Sequence, residues 1–97
     1  MSLENAEPLS FQVGDGRSVL IAAANPRRWG LIVTNPGAVR LYVAMAAVAT
    51  TDLYTVALDT DDYWEAPLGR NGKVYAGPVA VILDTASPGA VALRSEW

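Results

Sequence analysis

The sequence predicts an all-β fold: a single antiparallel β-sandwich or jelly-roll-like barrel with a short N-terminal arm. Short runs of strand-forming residues are separated by Pro, Gly and Asn turn signals at intervals of about ten residues. Within the runs, apolar residues occupy alternate positions, which gives each strand one face for a core. A chain of 97 residues has room for one such domain with one core.

The chain divides at residue 17. Residues 1–16 are polar and end in the turn signal "VGDG", and they predict an arm that is disordered or lies on a neighbouring subunit. The acidic first residues lack the basic start of a signal peptide. Residues 17–97 form the predicted domain. Eight runs supply its strands: "RSVLIAA", "RRWGLIVT", "AVRLYVAM", "LYTVALD", "DYWEA", "KVYAG", "VAVILDT" and "AVALRSEW".

Several runs predict local detail. Trp29, Leu31 and Val33 share one face of their strand, which predicts that Trp29 belongs to the core. A turn-and-strand phrase occurs twice, in "TNPGAVRLYV" and "TASPGAVALR", and its Pro-Gly pair predicts a type II turn before each strand. The Asn-Gly pair in "GRNGK" predicts a type I′ hairpin turn. The Ala-rich run "VAMAAVATT" is short and ends in β-branched residues, which favours a loop or an edge segment over a helix.

The composition argues against several classes of function. A net charge of −3 and a pI of about 4.6 lack the basic surplus that nucleic-acid binding needs. No apolar run approaches the roughly 20 residues that span a bilayer, so we expect no membrane partner. Without His or Cys, the usual general base and the common nucleophile pairs are missing. The hydrophobic share of 52% is high for a monomer, so we expect association with other chains.

The stretch "DTDDYWE" concentrates the acidic residues Asp59, Asp61, Asp62 and Glu65. Glycosidase-type catalysis needs two carboxyls roughly 5–10 Å apart across a cleft, which acids clustered on one exposed turn do not supply. The sequence therefore predicts no enzyme and no cofactor. The stretch is interpreted as a solvated turn between strands. A weak Ca²⁺ site is the alternative, because hard cations take several oxygen ligands from one loop.

Recognition by surfaces remains as a function. Aromatic and Arg side chains dominate the energetics of protein interfaces, and four of them are candidate contacts: Arg27, Arg28, Trp64 and Trp97. Tyr63 and Trp64 are adjacent, so in a strand they point to opposite faces and one of them is exposed. A carbohydrate- or receptor-binding module is the alternative, although its flat aromatics would normally lie together on one strand face.

The order of several framework motifs is familiar. Arg-Arg precedes the apolar strand "WGLIVTN", "VRLYVAM" follows a turn, and "YWEAP" comes before "GKVYAG". Over residues 17–97 this order resembles small all-β structural proteins of tailed bacteriophages, of the capsid-decoration or head-surface type. The Ala-rich "AMAAVAT" departs from the polar loop expected there, which indicates an interface.

The resemblance implies a non-enzymatic virion protein on the capsid surface, made in the bacterial host cytoplasm. Its implied role is to bind the major capsid protein, or another virion protein, and to stabilise the capsid lattice. The resemblance also implies a homo-oligomer, specifically a homotrimer. A phage tail or baseplate component is the nearest alternative.

Overall fold

A computed structural model describes residues 8–97 and contains eight strands. Their bounds are β1 (Leu9–Gln12), β2 (Val19–Ala22), β3 (Leu31–Thr34), β4 (Leu41–Ala44), β5 (Val56–Leu58), β6 (Tyr63–Glu65), β7 (Val79–Leu83) and β8 (Val91–Glu96). The part of the chain that the structure describes holds no helix long and apolar enough to cross a membrane.

The strands form two four-stranded antiparallel sheets that pack face to face. Sheet A has the order β1-β8-β3-β6, and sheet B has the order β2-β7-β4-β5. Strands β1 and β8 pair, as do β2 and β7, β3 and β6, and β4 and β5. The chain is thus a long antiparallel ribbon rolled into two layers, which is the topology of an eight-stranded jelly roll. The predicted antiparallel sandwich or jelly roll is confirmed.

The core lies between the two sheets. Leu31 and Val33 of β3 face Leu41 and Val43 of β4, and all four are fully buried. Val79, Val81, Leu83, Ile21 and Leu58 extend this cluster across sheet B. Each fully buried side chain of this size contributes about 1.5–3 kcal/mol relative to exposure. The alternation read from the sequence therefore identifies the inner faces of these strands.

Seven of the eight predicted runs contain a strand, and the eighth strand lies elsewhere. "KVYAG" forms only an isolated bridge, between Val74 and Leu68. The additional strand is β1, which lies within the predicted arm and pairs with β8 along its whole length. Val13, directly after β1, is 1% exposed and belongs to the core. The domain thus begins before residue 17, and residues 1–7 of the predicted arm lie outside the described residues.

Two of the three predicted turns take a different form. The turn at "SPGA" is as predicted, because Gly89 has a φ of 83° and Ala90 N–H donates to the carbonyl of Ser87. Gly37 in "NPGA" has no positive φ, and its N–H instead donates to the side chain of Asn35. In "GRNGK" only Gly72 has a positive φ, so this turn is not of type I′.

Loops alternate between two ends of the sandwich because every neighbouring strand pair is antiparallel. The connections after β1, β3, β5 and β7 meet at one end, which we name the acidic end. The connections after β2, β4 and β6 begin at the other end, together with the last residue of β8, and we name it the cleft end. The candidate functional features lie at these two ends and on the outer face of sheet B.

Candidate functional site

The outer face of sheet B is apolar, in addition to its inner face. Ala44 and Leu20 both lie opposite Ala80 in the sheet, and Tyr42 lies opposite Ile82. These side chains point away from the core because they alternate with the buried inner residues. An antiparallel sheet with one solvated face normally carries polar residues there. The outer face of sheet B must therefore be covered by something apolar.

Part of the cover is the Ala-rich segment, residues 45–55, which folds back over the sheet. Ala49 is 1% exposed and packs on Ala44 and Ala80. The N–H of Ala49 donates to Ser18 Oγ at 2.8 Å, which ties the segment to the start of β2. The Tyr54 ring lies 4.4 Å from the Tyr42 ring, centroid to centroid. The predicted loop is thus a layer packed on the sheet.

This cover leaves apolar side chains in solvent. Val48 and Leu53 are 64% and 78% exposed, and Leu20 and Tyr54 are each about half exposed. We name these four residues, with the Ala-rich segment beneath them, the apolar face. Contiguous exposed apolar surface on a small protein marks an interaction site.

A cleft of about 730 Å³ opens at the other candidate surface, the cleft end. One wall is the chain from Pro26 to Trp29, and the other is the hairpin from Asn71 to Val74, with Ala76 behind it. Arg27 and Lys73 are exposed on opposite walls. The cleft therefore places two cations and an indole around one space.

Trp29 is 70% exposed in this cleft, so the prediction that it belongs to the core is wrong. Strand β3 begins only at Leu31, and the alternation does not extend back to Trp29. The N–H groups of Trp29 and Gly30 both donate to the carbonyl of Trp97, which sets the direction of the chain before β3.

Arg28, one of the predicted contacts, is inside the domain, with a fully buried side chain. Its Nε donates to Glu96 Oε2 at 2.7 Å. Its two terminal nitrogens donate to the carbonyls of Tyr75, Gly77 and Ala23 at 2.8–2.9 Å. This guanidinium cross-links both walls of the cleft to β8. Arg28 therefore positions the cleft, and its guanidinium is buried away from a partner.

The two predicted tryptophan contacts are half-buried. Trp64 lies opposite Val33 in sheet A and packs against the core, whereas its neighbour Tyr63 is 67% exposed. This confirms that one of the adjacent pair is exposed. The indole of Trp97 covers Gly30. Of the four predicted contacts, only Arg27 is exposed. The structure brings Arg27 and Arg28 to the cleft, whereas Trp64 packs half-buried against the core in β6.

The acidic turn, residues 59–62, joins β5 to β6 at the acidic end. Arg40 Nε donates to Asp59 Oδ1 at 2.9 Å, and Asp62 Oδ2 accepts from the N–H of Asp59. Asp61 has a φ of 65° and is exposed at the tip. Among residues 8–97 no three His, Cys, Asp or Glu side chains form a group that could hold a metal ion. The acids here serve the turn itself and leave the carboxylate of Asp61 in solvent.

Asn35 holds this turn in place from inside. Its side-chain nitrogen donates to the carbonyls of Val39 and Leu58 at 3.0 and 2.9 Å. Its carbonyl accepts from the N–H of Asp61, and its N–H donates to the carbonyl of Asp62. A residue that is 1% exposed thus fixes two loops of the acidic end, β3–β4 and β5–β6, relative to one another.

Two pKa values shift near the acidic end. The hydrogen bond and the charge of Asp59 raise the pKa of the Arg40 guanidinium above its ordinary value. Burial raises the pKa of the Tyr42 phenol, and the hydrogen bond from its hydroxyl to Asp84 Oδ1 acts in the same direction.

Sequence reasoning missed Trp29, Lys73 and Leu53 as surface residues. Trp29 precedes Gly30, and a glycine directly before a strand was the available signal that the strand begins later. Lys73 follows Asn-Gly, which placed it beside a turn but not beside Arg27. Leu53 gave no signal, because its exposure depends on how residues 45–55 fold back.

No protein-family model, curated protein or solved structure matches the chain.

Proposed function

We propose that this chain is a non-enzymatic virion structural protein, a capsid decoration protein that binds and stabilises the major capsid protein lattice. The apolar face carries the proposal. Val48, Leu53 and Tyr54 form a raised apolar layer on a sheet whose outer face is itself apolar. Such a surface is suited to a protein partner that completes the burial.

The fold supports the same proposal. Eight-stranded jelly rolls recur in viral capsid and lectin domains, and the two short-stranded sheets give a rigid body for docking. Fold alone does not determine function, so the main support for the proposed virion role is the apolar face together with the phage-like order of motifs. Many weak contacts on one lattice add up through multivalency, which suits a chain of 10.3 kDa with a small docking surface.

Density-gradient sedimentation of particles from the source culture tests the proposal. We expect the chain to travel with particles through the gradient, and labelled particles to carry it on the head. Label on the tail or baseplate would instead support the alternative that the chain is a tail or baseplate component. A chain that stays wholly in the soluble fraction would contradict a virion role.

Matched leucine variants test the apolar face. Leu53→Asp should abolish co-sedimentation, because it places a carboxylate in the proposed contact. Leu68→Asp is the control, since Leu68 is exposed to a similar extent, 68% against 78%, but lies on the hairpin of the cleft end. Equal loss in both variants would show that the apolar face is not the docking surface.

One observation favours a second candidate, a carbohydrate-binding module. Trp29 presents an exposed indole beside Asn71 and Lys73 in a cleft large enough for a sugar ring. An indole face stacks on sugars, and amide and ammonium groups bind their hydroxyls. Glycan-array binding that Trp29→Ala abolishes and Trp64→Ala leaves intact would favour this module over the capsid protein.

A further inference from the structure

We propose that the cleft of one copy receives the acidic turn of a second copy, so that the chains associate head to tail. The inference gives a contact for the homo-oligomer that the phage resemblance implies, and it does not depend on the proposed binding to the capsid. It does not use the apolar face, which remains free for a capsid.

The first step is the charge difference between the two ends. Loops at the acidic end carry Asp15, Asp59, Asp61, Asp62 and Asp84 against Arg17 and Arg40. Loops of the connections that begin at the cleft end carry Arg27, Arg28, Arg70 and Lys73 against Asp52, and the strand ends there add Glu65 and Glu96. Among the described residues, the acidic end therefore has a net negative charge and the cleft end a small net positive charge, although the whole chain is acidic.

The second step concerns the ion pairs that the described residues form within one copy. Among residues 8–97, Arg27 and Lys73 form no ion pair, whereas Arg28 is paired with Glu96. Arg27 and Lys73 stand on opposite walls of the cleft, with Gly72 adding no side chain between them. A carboxylate that enters this space meets a cation on each side.

The third step is that the acidic turn has a suitable shape and composition. Its backbone is held by Asn35, and Asp61 is presented at the tip with a left-handed φ. Tyr63, directly after the turn, is 67% exposed and supplies an aromatic ring for the exposed indole of Trp29. Charge pairs combined with an aromatic contact are a common basis of specific protein recognition.

The fourth step is symmetry. A contact between two different patches is heterologous, so each copy can use its acidic end and its cleft at the same time. Such contacts form a ring when the rotation between copies closes, and an open chain when it does not. The expected homotrimer would be a ring of three, and the second copy would complete each cleft with Asp61 and Tyr63.

Sedimentation-velocity measurements of the full chain and its charge variants test the proposal. We expect the wild-type chain to associate at low salt and to dissociate at about 1 M NaCl, where screening is strong. Asp61→Lys or Arg27→Glu should each shift the dissociation midpoint by at least tenfold in protein concentration. Combining D61K with R27E in one chain should restore part of the association, because the charges again match.

Matched controls separate this contact from a general charge effect. Asp52→Lys changes the net charge by the same amount as D61K, but Asp52 belongs to the Ala-rich segment. Arg17→Glu changes the net charge by the same amount as R27E, but Arg17 belongs to the acidic end. Neither should weaken association, because each increases the charge difference between the two ends, and far-UV circular dichroism should show every variant folded.

Three results would overturn the proposal: a wild-type chain that stays monomeric at low salt and high concentration, association that D61K and R27E leave unchanged, or a combined variant no better than either single one. A monomer whose cleft binds an acidic glycan, with binding lost in R27E, would assign the cleft to carbohydrate instead. Particle binding is measured separately with L53D, so failure of one proposal does not imply failure of the other.

Discussion

The indole of Trp97 lies directly on the Cα of Gly30. The two residues also exchange backbone hydrogen bonds, with N···O distances of 3.1 Å from Trp97 to Gly30 and 3.0 Å in the other direction. A Cβ at position 30 would overlap the indole ring. Gly30 thus allows Trp97 to pack against the cleft end, next to Trp29 and two residues after Arg28.

Gly30→Ala should displace this indole and lower the free energy of unfolding by about 1–3 kcal/mol, as overpacking typically does. Trp97→Ala should remove the clash, so the double variant should be less destabilised than the sum of the single variants. Urea unfolding of the four chains measures the coupling. Additive effects would show that the indole simply swings away at no cost.

Arg28→Ala should lower the free energy of unfolding by about 3–5 kcal/mol, because it leaves the Glu96 carboxylate and three carbonyls without their shared donor. Arg28→Lys should recover only part of this loss, since one ammonium cannot reproduce the planar fork. The neighbouring Arg27→Ala is the control, with an expected change within about 0.5 kcal/mol. Similar stabilities for R28A and R27A would contradict the scaffolding role.

Much of the fold follows from the sequence because the core residues of β3, β4 and β7 occupy alternate positions in their strands. Strand β1 was missed because it is an edge strand with few apolar residues, and its pairing with β8 joins segments from opposite ends of the chain. Turn type at Gly37 was missed because the buried amide of Asn35 decides the local backbone. A Pro-Gly pair predicts a turn from local conformational preferences, and these do not indicate a tertiary contact such as the one made by Asn35.

The candidate surfaces follow from the sequence to a smaller extent. The sequence predicts both Arg27 and Arg28 as contacts, because nothing local distinguishes the exposed Arg27 from the buried Arg28. The partners of Arg28 are backbone carbonyls of Tyr75 and Gly77, and backbone carbonyls carry no residue-specific signal. Likewise the apolar face depends on residues 45–55 folding over sheet B. The Ala-rich composition of this segment predicts an interface, but it does not indicate which surface the segment packs on.

Asn35→Ala should lower the free energy of unfolding by about 1–3 kcal/mol, because the carbonyls of Val39 and Leu58 stay buried without a donor. Asn35→Asp should be at least as harmful, since a carboxylate donates to neither carbonyl and is buried with a charge. Asn71→Ala, in an exposed turn, is the control. Thermal unfolding checks the order, and an N35A variant as stable as N71A would argue against the role of Asn35.

Ala49→Leu should destabilise the chain by about 1–3 kcal/mol, because no space exists between Ala49 and the alanines of sheet B. It should also lift residues 45–55 and raise proteolysis within them. Ala47→Leu adds the same bulk at an exposed position and should change little. If both variants resist protease equally, the segment is not packed as a layer.

Tyr42 should make stability depend on alkaline pH. Its pKa is raised in the folded chain by burial and by Asp84, so folding favours the protonated phenol. This contribution is fully present below the ordinary phenol pKa of about 10 and is lost as the pH rises through the higher folded value. Tyr42→Phe should therefore flatten the fall in melting temperature above about pH 10. Tyr63→Phe, at an exposed site, should melt like the wild type throughout, and a fall equally steep in Y42F would assign the alkaline loss to other groups.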